Sequence, residues 1–175
     1  MIKQKEYLVI DGYNIINAWS DLKILAKENL EEARDRLIGE MKEFAAYKGI
    51  EVIIVFDAYR VKGGARAEEN LGKLKVVYTK ENQTADTYIE KLIWEIGRQR
   101  HTMVRVATSD MAEQQIVIGR GGVRISPIEL KIEVRDSKKK IKKRIEAPTE
   151  KRNTLDSNLS EDVLAKLEAL RRGEM

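Results

Sequence analysis

Four aspartates stand where carboxylates can act together. Asp11 closes the apolar run "YLVID", Asp57 closes "VIIVFD", Asp110 follows "VRVATS", and Asp86 opens the amphipathic stretch "ADTYIEKLI". Carboxylates that converge on one crevice repel, and proteins seldom gather them without a cation to neutralise the charge. The chain has no cysteine and a single histidine, His101. An all-oxygen site for Mg²⁺ or Mn²⁺ is therefore the economical reading, and thiolate or polyhistidine zinc sites, cysteine nucleophiles and histidine-based triads are excluded. Such a site cleaves phosphoesters, the ion lowering the pKa of an attacking water and steadying the leaving oxygen. Taken singly the aspartates have plainer readings: Asp110 stands where a helix N-cap belongs, and Asp86 where a carboxylate complements a helix dipole.

Convergence depends on the elements that carry these residues. "EYLVID" (6–11), "IEVIIVFD" (50–57), "LKVVYT" (74–79), "TMVRVATSD" (102–110) and "GVRIS" (122–126) are short and rich in Val and Ile, the signature of strands. Residues 29–49 and 84–100 show helical apolar spacing, the first through Leu30, Ala33, Leu37, Met41, Phe44 and Ala45, with Gly49 where a helix ends. Near-continuous apolar strands alternating with helices predict a three-layer α/β/α sandwich around a mostly parallel sheet of about five strands. In that architecture the strands' carboxyl ends share one edge, and ligands bind outside it near the topological switch point. Trp19 and Trp94 fall within helical patterns and are expected in the core, and His101 on the surface.

Small residues beside the aspartates support the same edge. Gly12 would let the chain turn after the first strand and let a phosphate approach. Asn14 could orient Asp11 or bind a phosphate or water, and Thr108 and Ser109 could do the same for Asp110, with capping as the alternative for Ser109.

"VIDGYNIINAW", "VIIVFDAY", "TADTYIEKLI" and "VRVATSDMAEQ", in this order, resemble the YacP-like branch of the NYN domain family, within the PIN-like nuclease superfamily. The resemblance runs from about Tyr7 to about Ile145. It implies that Asp11, Asp86 and Asp110 are the metal-binding acids, that Asp57 is an acidic position after the second strand, and that Asn14 is the asparagine of the first motif. It also implies RNA as substrate, endonucleolytic cleavage, and association with ribosomes and translated messenger RNA. The broader superfamily has a further carboxylate after the fourth-strand aspartate, for which "EQQIVIGRGGVRIS" offers no clear counterpart apart from Glu113.

RNA contacts are expected from the loop 58–73, through Arg60, Lys62, Arg66 and Lys73 with Tyr59 and Tyr78 as stacking faces, and from "KKKIKKR" (138–144), through Lys139, Lys140, Lys142 and Lys143. Both stretches also read as solvated charge. The net charge of +4 permits a polyanionic partner without requiring one. Residues 1–146 are expected to form the nuclease-type domain, and 147–175 a polar linker with a short helix from Ser160. With no apolar run long enough for a membrane span and no export signal, a cytoplasmic location is expected; the oligomeric state stays open. The leading expectation is a metal-dependent endoribonuclease. The alternative is an RNA- or ribosome-binding factor with a vestigial acidic pocket; a phosphoacceptor receiver lacks its late-strand lysine in "VRISPIE".

Overall fold

The computed structural model describes residues 3–58, 68–147 and 161–173. The chain divides into two compact units, 1–141 and 142–175.

The first unit begins with β1 (Lys5–Asp11), α1 (Gly12–Ala18), α2 (Ser20–Glu28), α3 (Leu30–Lys48) and β2 (Glu51–Phe56). It continues through β3 (Glu68–Leu71), β4 (Leu74–Tyr78), α4 (Ala85–Gly97), β5 (Thr102–Ala107), α5 (Met111–Gly119) and β6 (Val123–Ile125) into α6 (Pro127–Glu146), which enters the second unit. The second unit holds the end of α6 and α7 (Glu161–Arg172). Ser160 and most of the polar stretch 147–158 lie outside the described residues.

The sheet has the order β3-β4-β2-β1-β5-β6, parallel throughout except for β3 against β4. Alternation along the strands supplies two cores. Leu8, Ile10, Ile54 and Val76 face α1, α3 and α6 with Ile15, Leu37, Phe44 and Leu130. Val9, Val55, Val77 and Val106 face α4 and α5 with Ile89, Ile93 and Val117. A sheet buried on both sides is why these strands read as unbroken apolar runs.

Among the described residues the sheet has six strands, against an expectation of about five. β3, "EENL", lies within the stretch read as loop 58–73, and it lacks the apolar alternation that would announce it. As an edge strand it needs one partner only: it pairs with β4 across a two-residue turn in which Gly72 has φ +69°, and Lys75 bonds Glu68 at 2.9 Å. Gly49 closes α3 in the left-handed region, as the sequence predicts. Trp19 is buried, donating from Nε1 to the Pro127 carbonyl at 2.8 Å. Trp94 is not a core residue. It is 49% exposed, because the buried stripe of α4 runs through Ala85, Ile89, Ile93 and Ile96 and leaves position 94 to one side. His101 is exposed. No described helix is long and apolar enough to cross a membrane.

Candidate active site

β1, β2 and β4 run to one side of the sheet and β5 and β6 to the other, so the topological switch falls between β1 and β5. The acidic site sits there. β1 ends at Asp11, whose Oδ1 caps α1 by accepting the Asn14 amide at 3.2 Å. Asp86 lies in the first turn of α4, behind the N-cap Thr84. Glu113 lies in the first turn of α5. One carboxylate oxygen from each of Asp11, Asp86 and Glu113 falls within 4.8 Å of the others.

Glu113 owes its direction to its neighbours. Asp110 is the N-cap of α5, its Oδ1 accepting the amides of Ala112 at 2.7 Å and Glu113 at 3.4 Å. In a capping box the acid three residues after the cap reaches back to the cap's own N–H. Here the Asp110 N–H already donates to Thr108 Oγ1 at 3.0 Å. Glu113 is released from that duty and turns toward Asp11 and Asp86.

The Glu113 carboxylate is buried, and neither oxygen has a hydrogen-bond partner of ordinary geometry among the described residues. Burial pushes its carboxyl up to about 8 from the ordinary 4.5; the adjacent Asp86 and the Asp11 charge push the same way, and the Thr108 hydroxyl opposes them. An orphaned buried carboxylate among like charges is a poor arrangement for a metal-free protein and a suitable one for holding a cation. The donors are all oxygen, which fits a hard divalent ion such as Mg²⁺ or Mn²⁺.

A cleft of about 210 Å³ opens beside this group, lined by Asp11, Tyr13, Asn14, Asn17, Asp57, Ala85 and Asp86. Asp57, just past β2, borders it and accepts the Thr79 hydroxyl at 3.3 Å. Asn14 borders it too, its Oδ1 accepting both the Ser109 amide at 2.9 Å and the Ser109 hydroxyl at 3.0 Å. Since an amide N–H can only donate, the side-chain orientation is settled, and the NH₂ points away from Ser109.

Of the expected site residues, the structure gathers Asp11, Asp86, Asp57 and Asn14 at one cleft, with Ser109 and Thr108 behind them. Asp110, expected among the metal-binding acids, is exposed and acts as a helix cap, and Glu113 takes the third place in the cluster. The signal for Glu113 lay in "DMAE", whose spacing puts an acid on the first turn at this edge. Gly12 serves packing rather than phosphate approach. It is buried, and a Cβ there would lie 2.3 Å from Phe56 Cε1.

The expected RNA contacts scatter. Arg60, Lys62, Arg66 and Tyr59 lie outside the described residues. Lys73 turns away from the site: it bonds Glu51 at 2.9 Å where β2 begins, at the sheet edge opposite Asp11. Tyr78 is half-buried and stacks on Phe56, with ring centroids 5.7 Å apart. Lys139, Lys140, Lys142 and Lys143 are exposed on α6, and Lys142 pairs loosely with Glu146 at 3.8 Å.

An α/β/α sandwich with acids at its switch point has the form of a PIN-like nuclease domain. The model of the YacP-like NYN domain matches residues 8–172. Over 170 residues the chain is 42% identical to YacP of Bacillus subtilis (strain 168), covering 97% of this chain and 99% of the relative. The crystal structure of Rae1 (YacP) from Bacillus subtilis matches with a TM-score of 0.72 and 43% identity, over 96% of this chain and 95% of that one. A mutant of the same protein gives 0.71 and 39%, over 97% and 96%. The chain belongs to the YacP-like NYN domain family.

Proposed function

We propose that this chain is a divalent-metal-dependent endoribonuclease acting on single-stranded RNA, with messenger RNA on the translating ribosome as its substrate. One observation carries the reading: three carboxylates from three separate elements meet within 4.8 Å, and one of them is buried with no hydrogen-bond partner of ordinary geometry among the described residues. That arrangement is costly unless a proton or a cation neutralises it, and a divalent cation can serve all three carboxylates at once. Family membership supports RNA as the polymer, and the ribosomal setting follows the resemblance to YacP-like proteins.

Asp11, Asp86 and Glu113 would hold Mg²⁺ or Mn²⁺. When bound, the ion supplies positive charge against the phosphodiester and lowers the pKa of the attacking water. The chain's own residues do the rest. Asn14 offers its NH₂ to a non-bridging phosphate oxygen, held in one orientation by Ser109. Asp57, bordering the cleft without belonging to the triad, would receive the proton from the water. Asp110 and Thr108 act through Glu113, as positioning residues.

The test compares wild type with an Asp11→Asn/Glu113→Gln double variant on actively translating ribosomes, with free RNA and Mn²⁺ in parallel. Cleavage present in wild type and lost in the variant is expected. Equal metal-dependent cleavage by both proteins overturns the assignment of the site. Ribosome binding by wild type without cleavage in either arm moves the reading to a binding factor.

A further inference from the structure

α4 carries unlike features at its two ends. Its first turn brings Asp86 to the acidic cleft, and further along it presents Trp94, 49% exposed although the helix has an apolar face where an indole could be buried. An indole so exposed forfeits hydrophobic stabilisation that a partner can restore. Arg98 lies over the ring, its guanidinium carbon 4.5 Å from the centroid. Beside the ring runs a groove of about 310 Å³ lined by Thr87, Glu90, Lys91, Trp94 and Arg120. Thr87, Lys91, Trp94 and Arg98 recur at helical spacing, so they form one stripe. At 1.5 Å per residue, Trp94 stands about 12 Å along the axis from Asp86.

We propose that Trp94 is a stacking platform for a base of single-stranded RNA, about two to four nucleotides from the bond cut at the acidic site. The proposal rests on the ribonuclease reading and adds to it a path for the strand. Arg98, Lys91 and Arg120 are the cations that meet the phosphates, and Arg98 braces the indole. Glu90 and Glu95 temper this charge, Glu95 pairing with Lys91 at 3.8 Å, so the ring rather than the field is the main attraction. A nucleotide matches one aromatic face set among cations, because its base has a π-face and its backbone a charged phosphate. A protein partner would need more apolar area than this groove, otherwise lined by polar and charged side chains, provides.

The experiment titrates full-length protein in EDTA with an unstructured oligoribonucleotide of about 12 nucleotides, long enough to span the path. Binding is followed by the anisotropy of a terminal fluorescein and, with unlabelled RNA, by tryptophan emission. Trp19 is 3% exposed, so quenching reports Trp94. Saturable quenching is expected in wild type. Trp94→Ala should abolish it and weaken binding roughly 5- to 150-fold, with Trp94→Phe restoring most of the affinity. In cleavage assays Trp94→Ala should raise KM and leave the metal requirement unchanged. An unaltered melting temperature shows that the variant is folded. Wild-type affinity in folded Trp94→Ala, or binding without quenching, overturns the platform alone. If wild type neither binds nor cleaves RNA, free or ribosomal, with any divalent metal, the ribonuclease reading falls as well.

Discussion

Glu113 holds its proton up to about 8, so it couples the stability of the metal-free protein to pH. The folded state keeps a proton that the unfolded chain releases near 4.5. The contribution is therefore fully present below that value, declines as pH rises, and is lost above about 8. In EDTA the melting temperature of wild type, measured relative to Glu113→Gln, should fall by about 5 °C between pH 5 and pH 8, an effect on the order of 2 kcal/mol. Saturating Mg²⁺ should restore the loss at pH 8 in wild type and do little in Glu113→Gln; parallel pH profiles in EDTA would refute the role of this carboxyl. Asp110 gives a complementary test. Asn can keep the cap acceptor, so Asp110→Asn should retain activity within roughly tenfold, while Glu113→Gln loses about a hundredfold or more, in line with losing a group that stabilises developing charge. Initial cleavage rates at fixed Mn²⁺ decide it, and the reverse order would return Asp110 to the metal-binding set.

Local elements aim these residues by ordinary capping and packing. α1 starts because Asp11 caps it, and it lies against β2 because residue 12 has no side chain where the Phe56 ring passes. Phe56 is itself flanked by Tyr13, at 5.1 Å between centroids, and Tyr78. Gly12→Ala should therefore cost about 1–3 kcal/mol by overpacking. It should also reduce cleavage by shifting Asp11, and chemical denaturation read by circular dichroism checks the first part. An unchanged unfolding midpoint would show that Phe56 can move aside. The N-cap of α5 illustrates how an element sets chemistry: one hydroxyl, Thr108 Oγ1, occupies the Asp110 N–H and thereby leaves Glu113 to the site. Elements with periodic apolar patterns, α3, α4 and the buried strands, were legible from spacing. β3 was not, because an edge strand is defined by its partner rather than by its own pattern.

At the scale of the molecule, a switch point places Asp11 from the end of β1 beside acids from the first turns of α4 and α5. A modest net charge of +4 would leave attraction of the proposed RNA substrate to local groups rather than to a global field. The sequence by itself determined the three-layer α/β/α architecture, because a strand buried on both faces must be apolar throughout and a helix on its surface must repeat near every 3.6 residues. It also determined the acidic, all-oxygen character of the site, because strand ends and helix starts in such a sheet share an edge and no cysteine or histidine cluster was available. Only the tertiary structure decided which acids meet. Asp110 and Glu113 lie three residues apart on the same turn, and spacing alone does not say which reaches Asp11 and Asp86, acids brought from distant parts of the chain; Glu113 reaches them and Asp110 caps α5. It likewise decided that Gly12 yields to Phe56, that Lys73 belongs to the far edge, and that Trp94 faces solvent. These outcomes depend on residues brought together from distant parts of the chain or on the exact rotation of one helix, and a pattern of local periodicity carries neither.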